Sequence, residues 1–171
     1  MACLVSGCGL VGGPKVLQPD APQVMTVTSP VFDDIIPRMF TCHGAGISPP
    51  LYWSGAPPGT SSFALVVDDS AAPISPYVYW IVFDISPGTP DVPAGLPPPG
   101  AREAENSQGR ARYDPPCPRG GRHRYRFTVY ALDSRLRLPS GVGLKEAWQA
   151  IAAHAIARGR LTAGAGSRAA R

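Results

Sequence analysis

The clearest alternation of apolar and polar positions runs through HRYRFTVYA, residues 123–131. Successive side chains of a strand point to opposite faces. His123, Tyr125, Phe127, Val129 and Ala131 therefore share one face, and Arg124, Arg126, Thr128 and Tyr130 share the other. Met25–Ser29 alternates as well and predicts a first strand, while Phe32–Phe40, with Ile35-Ile36-Pro37, predicts an irregular edge. Ile47–Trp53 reads as a rigid turn feeding an aromatic strand, and Ala56–Thr60 has the composition of a turn. Ser62–Val67 is a near-continuous apolar run, which predicts a central strand ending in Asp68-Asp69. Tyr77–Ile85 is apolar on both faces. Residues 86–112 then form a long connection rich in proline, glycine and charge, of a kind that is usually functional or mobile in a compact domain. Over Leu144–Leu161 the spacing predicts a helix, with Leu144, Trp148, Ile151 and Ala155 on one stripe, Ala147 beside it, and Lys145, Glu146 and Gln149 facing away.

The 171 residues suffice for one domain with a substantial core. Charged residues are only 16%, and 19 glycines and 21 prolines imply many turns. With the β-branched and aromatic runs between them, they predict a mainly β fold. The net charge of +4 comes from fourteen arginines and two lysines, with Arg168 and Arg171 at the very end. With no basic helix or stacking-aromatic motif, this does not predict nucleic-acid binding. No stretch approaches the roughly 20 apolar residues that a membrane-spanning helix needs.

Candidate chemistry gathers where the loop Tyr113–Pro118 meets the alternating strand. His123 and Tyr125 open an apolar face beside Arg119, Arg122, Arg124 and Arg126, a set suited to a small anion. A half-buried strand end with an arginine-solvated outer face explains the same residues. Asp68 and Asp69 end a buried strand, which is costly unless they are paired or at a solvated rim. A hydrolase is not favoured, because no Gly-x-Ser-x-Gly elbow occurs and neither Ser48 nor Ser54 sits in a nucleophile context. Cys42-His43 and Cys117 with His123 lack the spacing of a metal site, and no cofactor is implied. Cys42 and Cys117 read either as small buried residues at loop ends or, in an exported protein, as a disulfide. His154 lies at the edge of the helix stripe, and Trp53, Trp80 and Trp148 read as core.

Val5-Ser6-Gly7-Cys8 resembles a bacterial lipobox and precedes a polar linker, Gly9–Gln23. Only Ala2–Val5 stand for the apolar region of a signal peptide, and no basic residue precedes them. The expectation is a truncated lipoprotein signal with lipidation at Cys8 and a place in the cell envelope, a cytoplasmic form being the alternative.

Six blocks in order resemble the bacterial and archaeal branch of the phosphatidylethanolamine-binding protein family, the branch related to Raf kinase inhibitor protein. They are TCHGAGISPPLYWSGAPPGT, ALVVDDSAAP, YVYWIVFDI, the Asn106…Gly109…Tyr113–Pro118 loop, HRYRFTVYALD and the late helix with His154. The resemblance spans about Phe32 to Leu161. It implies a β-sandwich-like core with a large antiparallel sheet, one C-terminal helix and a small anion pocket at one end. The chain is expected to divide into the signal-like segment and linker at 1–23, a domain at 24–163 and a flexible tail of small residues and arginines at 164–171. Carried over by position, the pocket comprises Asp69, Tyr79, Pro116, His123 and Tyr125. It departs from the family pattern at Ala71, where a second aspartate is expected, at Tyr79, where a histidine is expected, and at Pro115, which replaces a glycine and its N–H. The aromatic residue expected near the C-terminus is absent from Leu161–Gly166. The function implied is non-enzymatic binding of a phosphate or phosphoethanolamine-type group. The alternative is an inhibitor or interaction module for a kinase or serine protease, acting through the 86–112 loop with a vestigial pocket.

Overall fold

The computed structural model describes residues 18–70, 77–118 and 123–165. Cys8, Ala71, Arg119 and Arg122 lie outside the described residues. Among the described residues, nine strands and one α-helix follow one another in the order β1 (Gln23–Thr28), β2 (Ile35–Ile36), β3 (Leu51–Ser54), β4 (Ser62–Asp69), β5 (Tyr77–Ile85), β6 (Asp91–Val92), β7 (Arg102–Glu103), β8 (Tyr125–Leu132), α1 (Leu144–His154) and β9 (Ala155–Ala165). They form one mixed sheet in the order β6-β3-β1-β9-β8-β4-β5-β7, with β2 added alongside β9. The edge predicted over 32–40 is β2 followed by a single 3-10 turn at Arg38–Phe40.

The sheet curls back on itself. Trp53 of β3 stands edge-on to Phe63 of β4 at 5.5 Å between ring centroids, although three strands separate β3 from β4 in the sheet. Met25, Val27, Leu51 and Trp53 thus meet Leu65, Val67, Val82, Phe127 and Val129 in one core. The other face of β4, β5 and β8 is covered by Ala147, Trp148 and Ile151 of α1. This double covering is why β4 has no exposed residue, and why its sequence runs apolar instead of alternating. In β1 and β3 only one face is buried, and there the alternation is clean.

Two expectations from the sequence are corrected. The helix does not extend to Leu161: it ends at His154, and the next eleven residues form β9 between β8 and β1. Asp133 fixes the junction, donating its N–H to the His154 carbonyl at 3.0 Å while its carboxylate meets His154 Nδ1 at 2.8 Å. Beyond it, Gly159 allows a close approach of β1, since a Cβ there would lie 2.7 Å from the Met25 carbonyl oxygen. Glycine is also poor in a helix interior, so both local cost and tertiary pairing favour the strand. The strand runs on through Gly164 and Ala165, which pair with Ile35 and Ile36 in the stretch expected to be tail.

Nor is 86–112 a free loop. It supplies β6 to one end of the sheet and β7 to the other. Buried Asn106 draws its later part together, accepting the N–H groups of Gln108 and Arg110 and donating to the Arg112 carbonyl. Ser107 then docks the segment on the start of β5 through two 2.9 Å bonds with the Val78 backbone.

Candidate functional site

Asp69 at the end of β4 pairs in register with Tyr125 at the start of β8 and with Tyr77 at the start of β5. Residues paired in register point to the same face, so all three side chains share one. Tyr79 joins them through an irregularity. Val67 pairs with Trp80 and Asp68 with Val78, which leaves Tyr79 as an extra residue of β5. Such a bulge re-aims side chains: Tyr79 and its neighbour Trp80 both pack on the core beneath the site, whereas Val78 packs on the helix side.

The result is a row of rings. Tyr77 and Tyr79 are 4.6 Å apart by centroids, Tyr79 and Tyr125 5.4 Å, and Tyr125 and His123 5.9 Å in a stacked pair. At its end His123 Nδ1 lies 2.7 Å from a carboxylate oxygen of Asp69. The Asp69 side chain is 3% exposed and that of His123 is 33% exposed, so the carboxylate is interior and the imidazole reaches the surface. With one ring nitrogen turned to Asp69, the imidazole is fixed in orientation.

The phenols are held in their protonated form. Burial is the main cause of the raised pKa of Tyr79, with the charges of Tyr125 and Asp69 adding to it. Burial, then Asp69, pushes Tyr125 up to about 12, partly countered by a hydrogen bond from Tyr79. Both hydroxyls therefore keep their protons throughout the physiological range, Tyr79 donating its own in a hydrogen bond to Tyr125 and Tyr125 remaining a donor. The linkage has a definite sign. A folded-state pKa raised from the ordinary 10 stabilises the fold below pH 10 and loses that contribution as pH climbs through about 12. In an ultraviolet difference titration with parallel unfolding curves, Tyr125→Phe will remove part of the loss in stability between those pH values. An unchanged alkaline profile would show that Tyr125 does not carry it.

The loop at 113–118 is fastened to this row. Asp114 donates its N–H to the Tyr79 carbonyl at 2.9 Å and accepts the Tyr77 hydroxyl at 2.9 Å, while Arg110 reaches its other oxygen at 3.3 Å. Half-buried Tyr113 donates to the Phe40 carbonyl at 3.0 Å and stands edge-on to Trp80. Pro116 is buried, and its carbonyl accepts the Cys42 N–H at 3.0 Å. Cys42 and Cys117 are joined by a disulfide with their Cα atoms 5.1 Å apart. Both are exposed, so the reading of them as buried loop-end residues is corrected. Cys42, His43 and Cys117 bring ligand-type atoms within 4.8 Å of one another, but the two sulfurs are bonded to each other and offer no thiolate.

Asp69, Tyr79, His123 and Tyr125 are thus brought together, and Pro116 belongs to the loop that meets them at Tyr79. Tyr77, Tyr113 and Asp114 are neighbours that the sequence reading did not assign to the site. Their signal was present in the aromatic start of β5 and in the Tyr-Asp that opens the proline loop. The alternation already set Arg126 on the far face of β8, and the structure keeps it there, away from the anion set it was grouped with. Its guanidinium is held by Asp68. Buried Ser48 accepts the Gly95 N–H at 3.1 Å, a bond across 47 residues.

A family model described as phosphatidylethanolamine-binding protein matches residues 28–165. A Mycobacterium tuberculosis protein named "Putative lipoprotein LppC" is 42% identical over 176 residues, covering 92% of this chain and 87% of its own length. A UPF0098 protein of Methanothermobacter thermautotrophicus is 37% identical over 131 residues, covering 74% of this chain and 87% of its own. Among solved structures, the phosphatidylethanolamine-binding protein homologue CT736 of Chlamydia trachomatis is 34% identical with a TM-score of 0.77, covering 85% of this chain and 99% of that one. Escherichia coli YbcL, described as a member of the mammalian family, is 28% identical with the same TM-score and the same coverage.

Proposed function

This chain belongs to the phosphatidylethanolamine-binding protein family, and from that premise we propose that it is a binding protein for a small phosphate or phosphoethanolamine-type group, without catalysing a reaction on it. The observation that carries the proposal is the 2.7 Å contact of His123 with Asp69, on the face that also carries Tyr79 and Tyr125. A phosphate is bound by N–H and O–H donors with cationic help. The Tyr125 phenol, which Tyr79 donates to, and the imidazole supply the donors, and protonated His123 supplies the cation. Asp69 alone would repel the oxyanion. Its work is to hold His123 and to meet the ammonium end of a zwitterionic group. With a tyrosine at position 79 the site has one imidazole to offer, so its grip weakens as His123 loses its proton.

Titration of the full chain with phosphate and with phosphoethanolamine, followed on the imidazole resonances, tests this. Saturable shifts that vanish in His123→Ala and weaken at alkaline pH are expected. No shift at millimolar ligand would overturn the proposal. Attachment to the envelope through a lipid on Cys8 belongs to the same reading. It is supported by the lipoprotein name of a relative and by an exposed disulfide, a bond that persists in oxidising compartments. Loss of detergent-phase partitioning in Cys8→Ser is its check.

A further inference from the structure

The face of β8 turned away from His123 carries a second cluster of polar groups. Across β4, β8 and β9 the register aligns Asp68, Arg126 and Thr162 in one row, Val66, Thr128 and Arg160 in the next, and Ala64, Tyr130 and Arg158 in the third. Three guanidinium groups therefore share this patch with one carboxylate. Asp68 takes Arg126 through both its oxygens. Arg160 donates from Nε to Thr128 at 2.9 Å and from Nη2 to the Gln18 side-chain oxygen at 2.8 Å. Arg158 reaches the Pro19 carbonyl at 3.4 Å, and the Gln18 amide donates to Asp68 at 3.1 Å.

Two buried donors in the cluster find no hydrogen-bond partner among the described residues, Arg158 Nε and the hydroxyl of Tyr130. Tyr130 is 0% exposed, and the charges of Arg160, Asp68, Arg158 and Arg126 all act on its phenol. Leaving a buried donor unsatisfied costs about 1–3 kcal/mol. Burial disfavours the charged form of Arg160, and Arg126 and Arg158 beside it add to that. A partly buried patch with a net charge of +2 and idle donors is short of one anion.

We propose that Arg158, Arg160 and Tyr130 form a second oxyanion site that accepts a phosphate group, separate from the His123 site and on the opposite face of the sheet. A phosphate carries up to two negative charges near neutral pH and three acceptor oxygens. It matches the charge of the cluster, and its oxygens suit the planar fork of arginine. Gln18 and Pro19 cross the patch, so the amide of Gln18 yields its place on Arg160 when the oxyanion enters. The phosphate is either free or the headgroup of an anionic lipid, the shared chemistry being the same.

The test uses the full chain carrying His123→Ala, which silences the first site and separates the two proposals. Inorganic phosphate, against chloride at equal ionic strength, will raise the unfolding midpoint saturably, as a ligand of the folded state does. Adding Arg158→Gln will weaken that response about tenfold or more. Tyr130→Phe keeps the ring and removes the idle hydroxyl, so it will leave stability in chloride equal or higher while weakening phosphate binding. A purely structural role for the phenol would not move those two readings in opposite directions. Co-sedimentation with phosphatidylcholine vesicles containing phosphatidic acid, lost in Arg158→Gln, would assign the lipid source. A response to inorganic phosphate without co-sedimentation would assign the free anion. No saturable response to either, or an equal one in Arg158→Gln and Tyr130→Phe, would overturn the site.

Discussion

Replacing Asp68 with asparagine will lower the stability of the fold by about 3 kcal/mol, the lower end of what breaking a buried ion pair costs when one charge is left behind. For a chain of this size that is a fall of roughly 6–12 °C in the midpoint of thermal unfolding. Asp68 is 1% exposed and the side chain of Arg126 is 15% exposed, so little water reaches the guanidinium to replace the carboxylate. A guanidinium cannot shed its proton to escape, and Arg160 lies close enough to add repulsion. The neighbouring change, Asp69→Asn, will behave differently. Its partner His123 is one-third exposed, so water can take the place of the carboxylate. Its main effect will fall on ligand binding. Urea unfolding of both variants, with Arg126→Leu and the double Asp68→Leu/Arg126→Leu, measures the difference. A double variant more stable than the Asp68 single variant is expected, because it removes the orphaned charge. Equal losses for Asp68→Asn and Asp69→Asn would refute the assignment of the two carboxylates to opposite faces with unequal partners.

Cleavage of the disulfide is the other large effect. Cys42 and Cys117 are 75 residues apart, so the bond closes a long loop in the unfolded chain. Loss of that constraint is expected to cost about 2–4 kcal/mol. The consequence is local as well. The bridge ties the 3-10 turn region to the proline loop, beside the bond from the Cys42 N–H to Pro116 and that from Tyr113 to Phe40. Those two hydrogen bonds remain after reduction, so the loop is loosened and not released. Unfolding with and without reductant, compared with Cys42→Ser/Cys117→Ser, will show matching losses. Phosphoethanolamine affinity will fall modestly in both. A reduced protein as stable as the oxidised one would show that the bond does not constrain the native fold.

The amino-acid sequence determined much of this protein through local periodicity. The alternation from His123 to Ala131 placed His123 and Tyr125 on one face. The unbroken apolar runs of Ser62–Val67 and Tyr77–Ile85 marked strands covered on both sides, and the ordered motifs pointed to the family. Three matters were decided only by the tertiary structure. The first is where the late helix ends: Ala155–Leu161 is compatible with a helical stripe, and the decision comes from the edge of β8 and from a glycine under the Met25 backbone. The second is the bulge in β5, which puts Tyr79 on the site face; a run that is apolar on both faces carries no alternation from which a register shift could be read. The third is the fate of the arginines. Alternation already put Arg126 on the face opposite His123, but it could not say what meets the guanidinium there. Only the register with β4 and β9 shows Arg126 joining Asp68, Arg158 and Arg160 on the far side. Periodicity is a property of a single segment, whereas register and the pairing of buried charges are properties of segments brought together.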